Sequence, residues 1–295
     1  MSITAEVVRQ LREETGAGMM DCKAALVESS GDMAKAREVL RKKGLAAAAK
    51  KASRAASDGA IVAHVEDGKG GAIVEINCET DFVAKTDEFQ AFIRKVAEHV
   101  WKNAPADLAQ LLEQPLAAGQ SVGQAVQEKV AVIKENIVIR RFARFELQDA
   151  NGVVAAYIHP PAAKVGVLVE LSPVQGTTAD MKALAREVAM HAAAASPAAA
   201  LYVSKDEVPQ DVLAKEKDIY RAQALASGKP ENVVDKIAEG KLKEFYATFC
   251  LLEQPYVREP KISVGQHVKG KAAVRRFVRM RLGEDAAEAN PAVER

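Results

Sequence analysis

The chain has 295 residues, of which 41 are basic and 40 acidic, for a formal net charge of +1. Near-cancellation of charge excludes a global electrostatic drive toward nucleic acid and leaves only a local basic patch, while the length accommodates one to three domains with a substantial core. Cys22, Cys78 and Cys250 lie far apart with no CxxC pair, which argues against a zinc site and a disulfide framework. No apolar run approaches the ~20 residues of a membrane span. Met1-Ser2-Ile3-Thr4-Ala5-Glu6 does not read as a signal peptide, so a cytoplasmic protein is expected.

The first ~45 residues read as three short helices. Ser2 or Thr4 can cap the first, whose stripe is Ile3, Val7, Val8 and Leu11. Gly16-Ala17-Gly18 stops it. The second runs from about Met19 to Ser29, with Met19, Cys22, Leu26 and Val27 apolar. Gly31-Asp32 breaks and recaps the chain. The third carries Met33, Ala36, Val39 and Leu40 and is expected to end at Gly44, with Arg41-Lys42-Lys43 at its negative end. The Ala- and Lys-rich stretch 45–57 reads as a linker.

Residues 58–195 contain an internal repeat. Copy one has Asp58-Gly59, strand 60–66, the turn Gly68-Lys69-Gly70-Gly71, strand 72–79 and a helix from Thr86 with Phe89, Phe92, Ile93 and Val96. Copy two has Asn151-Gly152, strand 153–158, the turn Pro160-Pro161-Ala162-Ala163, strand 165–171 and a helix from Thr178 with Met181, Leu184 and Val188. Each is a hairpin followed by a helix. His99 and His191 fall at equivalent positions, which suits a structural role. Between the copies, 121–137 reads as a helix. Residues 137–147 read as a strand, with Arg140, Arg141 and Arg144 expected at solvent. Residues 206–252 read as an antiparallel helical hairpin around Gly228-Lys229-Pro230. A last strand is expected at 275–282, and 284–295 reads as a disordered tail. The predicted class is α+β.

The copies differ at the end of their second strand. Copy one continues into Thr80-Asp81-Phe82-Val83; copy two has Ser172-Pro173-Val174-Gln175-Gly176. On spacing alone, Phe82 is either core at a strand end or a ring presented to a partner. A residue required by the shared fold should occur in both copies, which favours the partner reading. Phosphate-loop, dinucleotide, nucleophile-elbow and HExxH motifs are all missing. The Gly68-Lys69-Gly70-Gly71 run sits in a hairpin turn. Cys22 and Cys78 lie in apolar phases and read as core. His159 falls at a hairpin tip. No enzyme, metal site or cofactor is expected.

Two long stretches carry a family resemblance: Leu11-Arg12-Glu13-Glu14-Thr15-Gly16-Ala17-Gly18-Met19-Met20-Asp21-Cys22-Lys23-Ala24-Ala25-Leu26, and Val74-Glu75-Ile76-Asn77-Cys78-Glu79-Thr80-Asp81-Phe82-Val83-Ala84. Supporting matches are Lys134-Glu135-Asn136-Ile137, Val165-Gly166-Val167-Leu168-Val169 and Val188-Ala189-Met190-His191. Over nearly its whole length the sequence resembles the bacterial elongation factor Ts family. The resemblance implies a guanine-nucleotide exchange factor for elongation factor Tu, without bond-making chemistry. It implies a ubiquitin-associated-like (UBA-like) module at 1–52 and a core N-terminal subdomain at 53–148. The core C-terminal subdomain would comprise 149–200 and 250–283, with a protruding coiled-coil arm at 201–249. Thr80, Asp81, Phe82 and Val83 are implied to dislocate the partner's Mg²⁺, and Arg12, Met19, Met20 and His159 to contact the partner. The arm is a candidate for dimerisation or heterotetramer formation; no DNA or membrane partner is implied.

Three departures stand out. Lys134 replaces the family's usual glycine in Val132-Ile133-Lys134-Glu135-Asn136. The turn after His159 is proline-rich instead of glycine-rich. The short tail lacks the pattern of an extra partner-touching helix. The competing reading is a protein-binding adaptor with no effect on nucleotide.

Overall fold

The computed structural model describes residues 3–117, 119–174 and 178–284; the tail expectation for 284–295 therefore lies almost wholly outside the described residues. The helices are α1 (Ala5–Thr15), α2 (Met19–Glu28), α3 (Met33–Lys51), α4 (Asp81–Ala84), α5 (Asp87–Asn103), α6 (Leu108–Glu113), α7 (Val122–Ile133), α8 (Thr178–Ala194), α9 (Gln210–Ala226), α10 (Glu231–Phe249) and α11 (Val264–Val268). The strands are β1 (Asp58–Glu66), β2 (Gly70–Cys78), β3 (Pro115–Ala117), β4 (Gln120–Ser121), β5 (Val138–Glu146), β6 (Val153–Ile158), β7 (Val165–Pro173), β8 (Pro255–Tyr256), β9 (Glu259–Ser263) and β10 (Ala272–Arg281). The fold is α+β, as expected. The chain divides into two compact units, 1–60 with 74–142 and 61–73 with 143–295.

In the first unit, Thr4 caps α1 by accepting from Val7 N–H, and Gly16 ends it in the left-handed region at φ 66°. Asp32 caps α3 through Lys35 N–H. Val8, Leu11, Cys22, Ala25, Leu26 and Ala36 form the small helical core. The stripe of α2 is narrower than its composition suggests, because Met19 and Val27 face solvent.

Helix α3 corrects two expectations. It passes through Gly44 and continues to Lys51, absorbing most of the supposed linker. Alanine and lysine are strong helix formers, and one interior glycine costs only about 1 kcal/mol. Gly44 serves close approach instead: a Cβ there would lie 2.9 Å from the Ala131 Cβ of α7. Lys50 and Lys51, not Arg41-Lys42-Lys43, occupy the last turn.

The two halves repeat one another in topology. One sheet has the order β1-β2-β5 and the other β6-β7-β10, so the second hairpin strand is central in each. In the second sheet both pairings are antiparallel, with Val153 opposite Leu171 and Arg276 opposite Glu170. Phe89, Phe92, Ile93 and Val96 of α5 are buried, as are Met181, Leu184 and Val188 of α8.

The duplication is longer than the hairpin-plus-helix unit read from the sequence. Leu111-Leu112-Glu113-Gln114-Pro115 recurs as Leu251-Leu252-Glu253-Gln254-Pro255, and Ser121-Val122-Gly123-Gln124 as Ser263-Val264-Gly265-Gln266. Ser121 with Gln124 and Ser263 with Gln266 form matching capping boxes on α7 and α11. Arg140-Arg141-Phe142 recurs as Arg275-Arg276-Phe277. Arg141 Nε donates to the fully buried Glu75 at 2.7 Å, and Arg276 Nε to the fully buried Glu170 at 2.7 Å. Arg141 is thus turned inward, contrary to the solvent position expected for it, because Glu75 on β2 must be compensated.

The arm interrupts copy two between α8 and Leu251. Gly228 (φ 71°) turns the chain between α9 and α10, which pack along each other with Arg221 and Asp235 paired at 3.0 Å. At its base, Val208, Phe245 and Cys250 form a separate apolar cluster.

Candidate partner-binding tip

Thr80-Asp81-Phe82-Val83 forms the start of a single helical turn. Thr80 has an extended backbone and caps α4, its Oγ1 accepting from Val83 N–H at 3.3 Å. Thr86 then donates from Oγ1 to Val83 O at 2.8 Å and caps α5. The short turn runs from one cap to the next, and Phe82 on it faces solvent. The residue is 79% exposed, so the strand-end core reading is wrong for it. Asp81 is paired with Lys85 at 2.6 Å, and this hydrogen bond raises the Lys85 pKa.

The base of the tip is fixed by a residue to which the sequence reading gave no role. Glu135 Oε2 accepts from Glu79 N–H (3.1 Å) and Thr80 N–H (3.0 Å), while Thr80 Oγ1 donates to Glu135 Oε1 (2.7 Å). Asn136 N–H donates to Glu79 Oε1 at 2.7 Å. Asn136 Nδ2 donates to Arg54 O at 2.8 Å. Bonds to carboxylates of this kind are shorter and stronger than neutral ones. The sequence hints were local: Glu135 and Asn136 lie in a stretch that supports the family resemblance, and Lys134 stands where that resemblance leads one to expect glycine. Its φ of 68° is left-handed, the region glycine enters without strain. The partnership itself spans 55 residues and has no periodic signature.

Cys78 lies fully buried just before the tip, its thiol donating to Thr80 O at 3.1 Å. Burial pushes its pKa up to about 12, far from a nucleophile's range. Cys250 is likewise raised to about 12 by burial.

The other residues singled out from the sequence are exposed. Met19 and Met20 open α2 with 45% and 74% of their surface accessible, and Arg12 is exposed in the last turn of α1. They and the tip belong to the first unit. His159 belongs to the second, at the exposed β6–β7 turn, where Tyr157 Oη lies 2.9 Å from its Nδ1. His159 N–H donates to Val165 O, and Ala163 N–H to His159 O, closing the turn around it despite the prolines.

Gly68 (φ 72°) lies in the β1–β2 hairpin turn, as expected for the glycine-rich run. Among the described residues, no helix is long and apolar enough to cross a membrane.

A family model described as elongation factor TS matches residues 79–284. The elongation factor Ts of Trichlorobacter lovleyi is 46% identical over 96% of this chain and 94% of its own length. That of Methylococcus capsulatus is 47% identical over 96% and 93%, and that of Halorhodospira halophila 48% identical over 96% and 93%. With the duplicated α+β architecture and a helical N-terminal region already described, these matches show that the chain belongs to the elongation factor Ts family, the translation elongation factors of that name in protein biosynthesis.

Proposed function

We propose that this protein binds elongation factor Tu·GDP and accelerates release of GDP, allowing GTP to load, without making or breaking a covalent bond. The observation that carries this reading is Phe82: a large ring, 79% exposed, on a helical turn whose base is tied by four bonds to the Glu135-Asn136 segment. An exposed aromatic on a base already tied by hydrogen bonds loses less freedom on docking than one on a free loop. Buried aromatic anchors contribute roughly 2 kcal/mol or more each to an interface.

Bound GDP is held by backbone amides of a phosphate loop, a lysine and Mg²⁺. Insertion of Phe82 between partner elements moves the Mg²⁺ ligands, with Asp81 beside it. Coupling is reciprocal: as the factor weakens GDP, GDP weakens the factor by the same ratio. Arg12, Met19 and Met20 of the N-terminal helices, read as a UBA-like docking module over 1–52, add contact surface. His159 adds a contact from its own turn. Residues 53–148 form one core subdomain and 149–200 with 250–283 the other. The arm, 201–249, is a surface for dimer or heterotetramer assembly, and the protein acts in the cytoplasm.

The test is release of a fluorescent GDP from purified elongation factor Tu, with and without this protein and with Phe82→Ala. Acceleration that falls in the variant supports the tip mechanism. Acceleration indifferent to Phe82 moves the mechanism to Asp81, His159 or the helical module. Binding without acceleration leaves a protein-binding adaptor.

A further inference from the structure

We infer that Glu135 is the positioning residue of the tip, acting through Glu79 and Thr80 without itself engaging the partner; this rests on the exchange reading above. The contacts run in both directions. Glu135 accepts from both backbone N–H groups of Glu79-Thr80 and from the Thr80 hydroxyl. Glu79 in return accepts from Asn136 N–H. Asn136 extends the clasp to Arg54 O, so the ends of three separate segments are joined at the strand end that launches Phe82. Thr80 then uses the same Oγ1 to cap α4. Orientation of the clasp therefore sets the orientation of the tip's first turn.

The duplicated half supplies an internal control. There the corresponding junction between the end of β7 and the start of β10 is closed by a backbone bond, Val174 N–H to Lys271 O at 3.0 Å. The residues before β10 are Lys269-Gly270-Lys271, with no carboxylate among them. Among the described residues, the second copy's junction is thus closed by backbone, with no carboxylate clasp. The clasp occurs in the copy that carries Asp81-Phe82. Lys134, directly before Glu135, holds a left-handed φ of 68° as the cap of α7. Strain of that kind persists where the surrounding structure over-determines it, and here it ends the helix so that Glu135 follows at once.

The experiment compares wild type, Glu135→Ala, Glu135→Gln, Phe82→Ala and the double variant Phe82→Ala/Glu135→Ala. Two readouts are taken: the maximal rate of fluorescent GDP release from elongation factor Tu, and hydrogen exchange of the backbone amides of residues 79–84. Glu135→Ala should lower the release rate about tenfold, within the roughly hundredfold that a ~1 Å misplacement of a working group can cost. It should also expose the Glu79 and Thr80 amides to exchange. Glu135→Gln should stay within about threefold of wild type, because its amide oxygen still accepts both N–H groups and its NH₂ can donate to the Thr80 hydroxyl. In the Phe82→Ala background, Glu135→Ala should cost nothing further, as expected of residues acting as a unit. An equal loss in both backgrounds, or an unchanged rate in Glu135→Ala beside a fast wild type, overturns the positioning role alone. No acceleration by wild type overturns the exchange reading and this inference together.

Discussion

His191 and Gln254 meet in the interior of the second unit, ring Nε2 to amide Oε1, at 2.9 Å. Val257 N–H donates to His191 Nδ1 at 3.1 Å, so the ring is neutral with its hydrogen on Nε2. Gln254 spends its own amide hydrogens on Ala198 O and Thr248 O, the two ends of the chain entering and leaving the arm. The first unit holds the same pair: His99 Nε2 lies 3.0 Å from Gln114 Oε1. Two histidines that spacing alone placed at equivalent repeat positions therefore brace equivalent turns.

A pH dependence follows from His191. Burial, the largest cause, lowers its pKa below the ordinary 6.5, and neighbouring His267 lowers it further, against the Gln254 hydrogen bond. A histidine whose native pKa is depressed takes its proton first in the unfolded chain. Its stabilising effect is complete above about pH 6.5 and is lost as pH falls from there toward the lowered native value. Each unit of depression corresponds to about 1.4 kcal/mol. Urea unfolding of the wild type at about pH 7.5 and about pH 5.5 should show lower stability at the acid value, and His191→Gln should flatten that difference. A wild type more stable at the acid value would refute the assignment.

Two helical glycines should respond to substitution with opposite signs. Gly44 faces Ala131 of α7, with a built Cβ only 2.9 Å away, whereas Gly240 in α10 has open space around it. Gly44→Val should therefore destabilise by about 1–3 kcal/mol through overpacking. Gly240→Ala should stabilise by about 0.5–1 kcal/mol through helix propensity. Thermal or urea midpoints of the two variants settle the comparison.

Lys134→Gly should raise stability by roughly 1 kcal/mol at most, since a side chain at positive φ is strained and glycine loses part of the gain to its unfolded-state freedom. The Lys134–Asp21 ion pair forgone is 3.3 Å long and more than half exposed on both sides, and such pairs contribute little. A clear fall in the urea midpoint would mean that the lysine side chain contributes more than the strain costs.

Phe82→Ala should leave folding stability within about 0.5 kcal/mol of wild type, as substitutions at exposed positions do, because 79% of the residue already faces solvent. Urea unfolding of the same preparation used for GDP release checks this. A large loss would mean that any functional defect reports misfolding.

The main helices and strands, and the hairpin-plus-helix part of their duplication, were legible in the residue pattern alone. Period-two runs gave the hairpins, period-3.6 stripes gave α5 and α8, and local chemistry at Thr4, Gly16, Asp32, Thr86 and Gly228 gave the starts and stops. It also singled out Thr80–Val83, since a repeat exposes what one copy has and the other lacks. The tertiary structure decided three things that periodicity cannot encode. Gly44 is a contact point inside a longer helix because α7 lies against it. Arg141 turns inward because Glu75 is buried beside it. The base of the tip is tied because Glu135, 55 residues from Thr80, hydrogen-bonds to its backbone. Each depends on a partner distant in sequence, and local propensity carries no information about which distant residue will arrive.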